Sequence, residues 1–406
     1  MMNAGPGTLS RIDVAIAALG ERPLDEAGLQ KHVAPLFSRV LARNRERIYL
    51  ANHSLGRPPD QIEDDVREAL AAWYADLGGA WEQWSAELAA HRGRLARLMG
   101  APRVDCVVPK TSAGAGLRAV LNAARDKLRV VTTRGEFDSL DVILREYAHR
   151  DRIALSIVEA RGDSFHEDDI LAAIARGCDL VVVSQAMFRT GQLLMRLSEI
   201  VHAAHSSGAE VLVDIYHSLG VVPVDVEALD VDYAVGGSYK YLRGGPGACF
   251  LYVAPRHLEA RRSSLDIGWF AKETPFRYER PDPPRFAAGG DAWMESTPPI
   301  VTWYQARAGQ KLTLALGVDR LREYSLRQQR ALIDALADRG IEAQGATLDR
   351  SAFVLVQRAD AAQVIERLRA LGVDADARGD CLRLCPDVLT TSDEFARAAD
   401  ALARAL

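Results

Sequence analysis

The chain has 406 residues, 48% of them hydrophobic and 26% charged, with a formal net charge of −5. That length can bury one large core and a smaller one, while the mild acidity and the dispersed Lys and Arg give a polyanion no footing, so nucleic-acid binding is not expected. No stretch approaches the roughly 18 uninterrupted apolar residues of a membrane span, and the opening MMNAGPGTLSRIDVAIAALG lacks the pattern of a secretory leader, so a cytoplasmic protein with no membrane partner is expected.

Residues 1–50 read as an N-terminal segment that packs with a small C-terminal domain. Residues 60–98 follow a helical period, rich in Ala, Leu, Glu and Arg. From about residue 100, short β-rich runs alternate with helical ones. The runs are 106–108, 129–132, 153–158, 179–184, 210–214, 233–236 and 248–253, with helices expected over 117–124, 140–148, 166–176 and 198–207. Alternation of this kind builds a mostly parallel sheet covered on both faces, which takes ligands beyond the carboxyl ends of its strands. The expectation is an α/β fold with a seven-stranded sheet in a large domain, residues 51–296. Residues 271–296 form a proline-rich irregular connection, of the length that tends to carry function. A helical stretch over 299–338 and a strand–helix–strand–helix tail then complete a small α+β domain, residues 297–406.

Five cysteines, Cys106, Cys178, Cys249, Cys381 and Cys385, include no CxxC pair, and none has a histidine at zinc-ligand spacing. No metal site is expected, and a reducing compartment is the simplest reading.

The run VLVDIYHSLG places Asp214 at the end of an apolar strand, where an unpaired charge is costly. The run AVGGSYKYLRGGPG places Lys240 just beyond a second apolar strand. A lysine amine and a carboxylate at neighbouring strand ends are what pyridoxal 5'-phosphate requires. The amine forms a Schiff base with the aldehyde, and the carboxylate keeps the pyridine nitrogen protonated.

Several blocks in order along the chain carry a family resemblance. The stretch DIYHSLGVVPVDVEALDVDYAVGGSYKYLRGGPG resembles the D-x-x-H…S-Y-K-Y-L signature of the kynureninase family. IYLANHSLGRPP, FRTGQL (188–193), IGWF (267–270), STPPI (296–300) and LRLCPDVLTTSDEF resemble further blocks of that family. The resemblance spans residues 48–395. It implies the aspartate-aminotransferase-like fold (PLP fold type I) and a homodimer whose subunits share their active sites.

Residue by residue, the resemblance implies that Lys240 is the Schiff-base lysine and proton shuttle, and that Asp214 faces the pyridinium nitrogen. His217 is expected near the ring's phenolic oxygen or the phosphate, and Phe137 stacked on the ring. Phosphate binding is expected from Ser112, Ala113 and Gly114, where small residues lead into a helix N-terminus, and from Tyr239, with Ser238 beside it. Trp269 and Thr297 are expected to reach the cofactor or substrate from the neighbouring subunit. Arg383 is expected to hold the α-carboxylate of an amino-acid substrate by a bidentate fork, with His53 at the substrate side.

Five positions depart from the family pattern. His53 replaces an asparagine, Leu140 an aspartate three residues after Phe137, and Arg243 an asparagine; Ala271-Lys272 replaces glycine-histidine. Either Asp138 or Asp141 stands in for the acid at 140, or that contact is absent. The reaction implied is hydrolytic cleavage of the Cβ–Cγ bond of L-kynurenine or a 3-substituted analogue, giving an anthranilate-type acid and alanine. Three alternatives stay open: a related enzyme acting on another amino acid by elimination, replacement or decarboxylation; an aminotransferase or a cysteine desulfurase, the latter needing Cys381 as a mobile nucleophile; and a binding module without turnover.

Overall fold

The computed structural model describes residues 10–406; residues 1–9 of the expected N-terminal segment lie outside the described residues. A two-residue strand, β1 (Ile48–Tyr49), precedes seven strands that form the main sheet: β2 (Val107–Lys110), β3 (Leu128–Thr133), β4 (Ile153–Val158), β5 (Leu180–Ser184), β6 (Glu210–Asp214), β7 (Tyr233–Gly237) and β8 (Cys249–Val253). Their order is β2-β8-β7-β6-β5-β3-β4, all parallel except β8, which runs against both neighbours.

The burial of each strand follows from its place. β5, β7 and β8 are buried at every residue, because helices cover both faces. β4, at the edge, is buried only at its ends and leaves Ala154 and Ser156 exposed. Val, Leu and Ile from these strands form one continuous core with the flanking helices.

Three short strands, β9 (Val354–Gln357), β11 (Asp376–Arg378) and β12 (Cys381–Leu384), form a separate antiparallel sheet, and β10 (Val373–Asp374) pairs with β1. This second sheet has its own core with the helices Ala361–Ala370 and Ser392–Ala405. The latter begins with a capping box between Thr391 and Glu394. The N-terminal residues Ile12, Leu19, Leu29 and Phe37 pack on Leu312, Leu316, Leu321 and Val388.

Two stretches that read as single helices are each broken. The run over 60–98 is divided into Gln61–Asp76 and Ala80–Met99. The run over 299–338 is divided into Ile300–Leu316 and Val318–Ala337 at Gly317, whose φ of +82° ends the first helix.

Candidate active site

The carboxyl ends of β3, β5 and β6 and the loop after β7 converge on one buried region. Asp214, the last residue of β6, is 4% exposed and accepts a hydrogen bond from the Tyr216 backbone N–H at 2.7 Å. Burial pushes its carboxyl above the ordinary aspartate range, and no lysine, arginine or histidine pairs with it directly among the described residues.

Lys240, also 4% exposed, lies in the turn after β7. Its Nζ is 2.6 Å from His217 Nε2 and sits over the rings of Tyr216, Phe137 and Tyr239 at 4.7, 5.2 and 5.7 Å. Burial lowers the amine's affinity for a proton, and the Asp214 charge only partly restores it. His217 is held neutral chiefly by burial, and its Nδ1 has no partner among the described residues. The turn is tight because another segment lies against it. Gly56 donates its N–H to the Tyr239 carbonyl at 2.8 Å, and a Cβ at position 56 would fall 2.1 Å from the Lys240 carbonyl oxygen.

Arg383 of β12 closes the region from the small sheet. It is 1% exposed, and its Nε and Nη2 each donate to Asp376 at 2.7 Å, while Nη1 donates to the Phe188 carbonyl. Three of its five donors are thus committed, and the other two find no acceptor among the described residues. Asp376 also contacts His53 Nε2 at 3.0 Å, and His53 packs against Phe353 at 4.8 Å between ring centroids. His53 is fully buried, and burial pushes its proton affinity down to about 4. Arg378 of β11 stands 3.6 Å from the same Asp376 with 43% of its side chain exposed, and its charge acts on Lys240.

The expected phosphate cradle is the N-terminus of the helix Ala113–Leu121. Ser112 caps it, accepting from the Ala115 N–H at 3.0 Å, and the first-turn N–H groups have no acceptor within the helix. Phe137 caps the next helix and meets Phe188 edge-on at 5.5 Å. Tyr239 is half-buried beside Tyr216 at 5.1 Å, and Ser238 is fully buried and accepts from Gln310 at 3.1 Å.

Trp269 and Thr297 lie elsewhere in the chain. They are joined to each other by a 3.2 Å hydrogen bond from the indole, within an aromatic cluster that includes Trp81, Phe270, Phe276 and Tyr278.

The departures now have places. Leu140 is fully buried in the main core, Asp138 is exposed, and Asp141 pairs with Arg145 at 2.5 Å. Neither aspartate replaces the missing acid. The buried carboxylate of that block is Glu136, overlooked in the sequence although it adjoins Phe137. It accepts from Thr133 Oγ1 at 2.7 Å and Ser184 Oγ at 2.6 Å, and burial raises its proton affinity to about 7. Arg243, with a φ of +53°, bonds Asp387 at 3.2 Å and so ties the lysine turn to the C-terminal segment. Ala271 is fully buried, and Lys272 bonds the Glu279 carbonyl. Tyr216 and Asp376 were likewise unmarked in the sequence; Tyr216 lies inside the DIYH motif, and Asp376 is an ordinary strand residue until Arg383 pairs with it.

Pyridoxal phosphate fits these residues. A buried carboxylate without an ion-pair partner suits a protonated ring nitrogen, a poorly protonated amine suits an aldehyde, and an orphan imidazole nitrogen and open helix N–H groups suit oxygen acceptors. All five cysteines are free and buried, and burial raises Cys381 above its usual pKa. That removes the exposed thiolate a desulfurase needs.

Comparison with known proteins agrees. The model of the family described as aminotransferase class-V matches residues 48–379. A kynureninase of Salinispora tropica is 30% identical over 413 residues, 92% of each chain. Among solved structures, a C-DES mutant with glycine covalently linked to its PLP cofactor superposes with a TM-score of 0.81 at 17% identity, covering 90% of this chain and 98% of that one. The cysteine desulfurase CsdA of Escherichia coli gives 0.75 at 18% identity, covering 91% and 98%; at such identities the likeness is one of fold, PLP fold type I. The chain belongs to the aminotransferase class-V family, as a kynureninase-like enzyme dependent on pyridoxal phosphate.

Proposed function

We propose that this enzyme hydrolyses the Cβ–Cγ bond of L-kynurenine or a 3-substituted analogue, releasing an anthranilate-type acid and alanine. The observation that carries the reading is the pairing of a buried, weakly basic Lys240 with neutral His217, opposite an Arg383 that keeps two donors free.

Bound pyridoxal phosphate supplies an electron sink for the electrons released at the substrate's Cα. Lys240 would hold the cofactor and would take the Cα proton; its lowered proton affinity keeps the amine available as a base near neutral pH. Asp214 holds the ring nitrogen's proton, and His217 orients the amine. Phe137 packs on the ring, while Ser112, Ala113, Gly114 and Tyr239 hold the phosphate. Arg383, fixed in place by Asp376, receives the α-carboxylate through its two uncommitted N–H groups, with His53 beside it. Water adds to the γ-carbonyl carbon, the Cβ–Cγ bond breaks with its electrons going to Cβ, and the acid departs as the proton released from the hydrate goes to Cβ; return of the Cα proton held by Lys240 completes alanine.

The assembly we propose is a homodimer with shared active sites. The partly exposed Trp269, with exposed Thr297, Phe276 and Tyr278 around it, is a surface that a second copy would cover. Five free, buried cysteines support a reducing, cytoplasmic setting. No helix among the described residues is long and apolar enough to cross a membrane.

The test is direct. Purified protein loaded with pyridoxal phosphate is given L-kynurenine and 3-hydroxykynurenine, and the aromatic acid and alanine are quantified. Equimolar release supports the reading; no turnover of either compound sinks it.

A further inference from the structure

The reaction as described makes no use of Glu136, yet its carboxyl is among the most deeply buried charges of the site region. Parallel pairing of β5 with β6 sets Ser184 directly opposite Asp214, and residues paired this way present their side chains on the same face of a sheet. Ser184 Oγ donates to one oxygen of Glu136 at 2.6 Å, and Thr133 Oγ1 to the other at 2.7 Å. The residue that bonds Glu136 is thus the strand neighbour of Asp214. The groups that bear on Glu136 are Thr133 from β3, Ser184 from β5 and Asp214 from β6. Asp214 in turn feels Lys240 and the Tyr216 N–H. No cation among the described residues contacts Glu136, which makes it a costly residue to keep unless a positive charge arrives nearby.

We propose that Glu136 is a positioning residue for the ring-nitrogen end of the cofactor site: a second carboxylate behind Asp214, whose charge raises the proton affinity of the ring nitrogen that Asp214 holds. This rests on the reading that Asp214 faces the ring nitrogen. The hydroxyls of Thr133 and Ser184 offset only part of the burial cost of the Glu136 charge, and a cationic ring nitrogen at Asp214 would complete its ionisation. A like charge next to Asp214 disfavours the bare carboxylate and favours the pair in which a cation shares its proton. The nitrogen is thereby protected against losing its proton at alkaline pH.

The test uses full-length holoenzyme reconstituted with cofactor labelled with 15N at the ring nitrogen, observed by NMR from about pH 6 to 10. In Glu136→Gln the resonance is expected to move toward the unprotonated position, equivalent to a midpoint lowered by about one pH unit. Glu136→Asp, which keeps the charge, returns it toward wild type, and Ser184→Ala moves it in the same direction as Glu136→Gln by withdrawing a donor from Glu136. Resonances of Glu136→Gln that coincide with wild type at every pH overturn the proposal. So does an effect of Glu136→Gln that persists undiminished in an Asp214→Asn background, because it would not act through Asp214. Should Glu136→Gln not fold, Ser184→Ala decides in the same way: an unchanged resonance overturns the proposal. A wild-type nitrogen unprotonated throughout overturns the Asp214 reading along with this one, a failure separate from coincidence of variant and wild type.

Discussion

Lys240 Nζ and His217 Nε2 lie 2.6 Å apart in a pocket where both side chains are buried. Two cations at that distance would repel strongly, so at most one of the two nitrogens carries a charge. Burial and the Lys240 charge both act to keep that one from being the imidazole. The reactivity of the amine is therefore a property of the pair and of its depth.

Lys240→Ala is expected to abolish reductive labelling of the protein by pyridoxal phosphate and borohydride. Turnover of a kynurenine should fall by roughly 10³-fold or more, because both the anchor and the proton carrier are lost. Mass analysis of the labelled peptide checks the position; a label elsewhere in wild type would reject Lys240.

The Asp214 charge raises the proton affinity of Lys240 while burial lowers it. In Asp214→Asn the amine should lose its proton at still lower pH. Cofactor capture by the cofactor-free protein, followed by absorbance, should then turn on at a lower pH than in wild type, while turnover of the loaded variant falls by about 10²-fold or more as the ring loses its proton. Capture and turnover moving in opposite directions is the signature.

His53 has a folded pKa pushed down to about 4 against an ordinary value of 6.5. The unfolded chain therefore binds a proton first as pH falls. The stability tied to His53 is present above about pH 6.5 and is lost as pH drops toward 4, amounting to roughly 2–3 kcal/mol between pH 6.5 and 4.5. Denaturant melts of wild type and His53→Asn at those two pH values should show the smaller loss in the variant. Equal losses would mean that His53 is not buried in its neutral form.

Arg383→Lys keeps a cation beside Asp376 but forfeits the planar fork. KM for the amino acid should rise by roughly 10-fold or more, in line with one lost charge-assisted hydrogen bond, while cofactor labelling at Lys240 is retained. Arg378→Gln, at the rim, should change KM less. A larger effect at position 378 than at 383 would transfer the carboxylate to the half-exposed arginine.

Cys381→Ser should leave turnover within about twofold and stability within about 1 kcal/mol of wild type, as for a small buried hydrophobe replaced by an isostere. Loss of all activity in this variant would reopen sulfur chemistry.

The sheet was readable because its strands are short, β-branched runs buried on both faces, and such runs stand out between amphipathic helices. The expected runs at 153–158 and 210–214 coincide with β4 and β6. The helix breaks were less visible, since Gly317 in a helical pattern does not announce its φ. At the site, Lys240, His217 and Phe137 could be named from local motifs, and the structure brings them together. Asp376 and Glu136 could not. Each matters through a partner distant in sequence or on a neighbouring strand: Asp376 through His53, Glu136 through Ser184 and Asp214. A residue that acts on a neighbour across the fold leaves no periodicity and no spacing to read.

The close seat of Gly56 on the Lys240 carbonyl has a consequence for how the protein matures. The pocket wall is stitched from segments near both ends of the polypeptide, His53 and Gly56 from one and Asp376 and Arg383 from the other. A nascent chain released from the ribosome only as far as the main sheet would expose its lysine to water, fully charged and slow to capture an aldehyde. If Lys240 anchors the coenzyme as proposed, its uptake would then be a late event, and the yellow colour it brings would mark only molecules in which these segments have met.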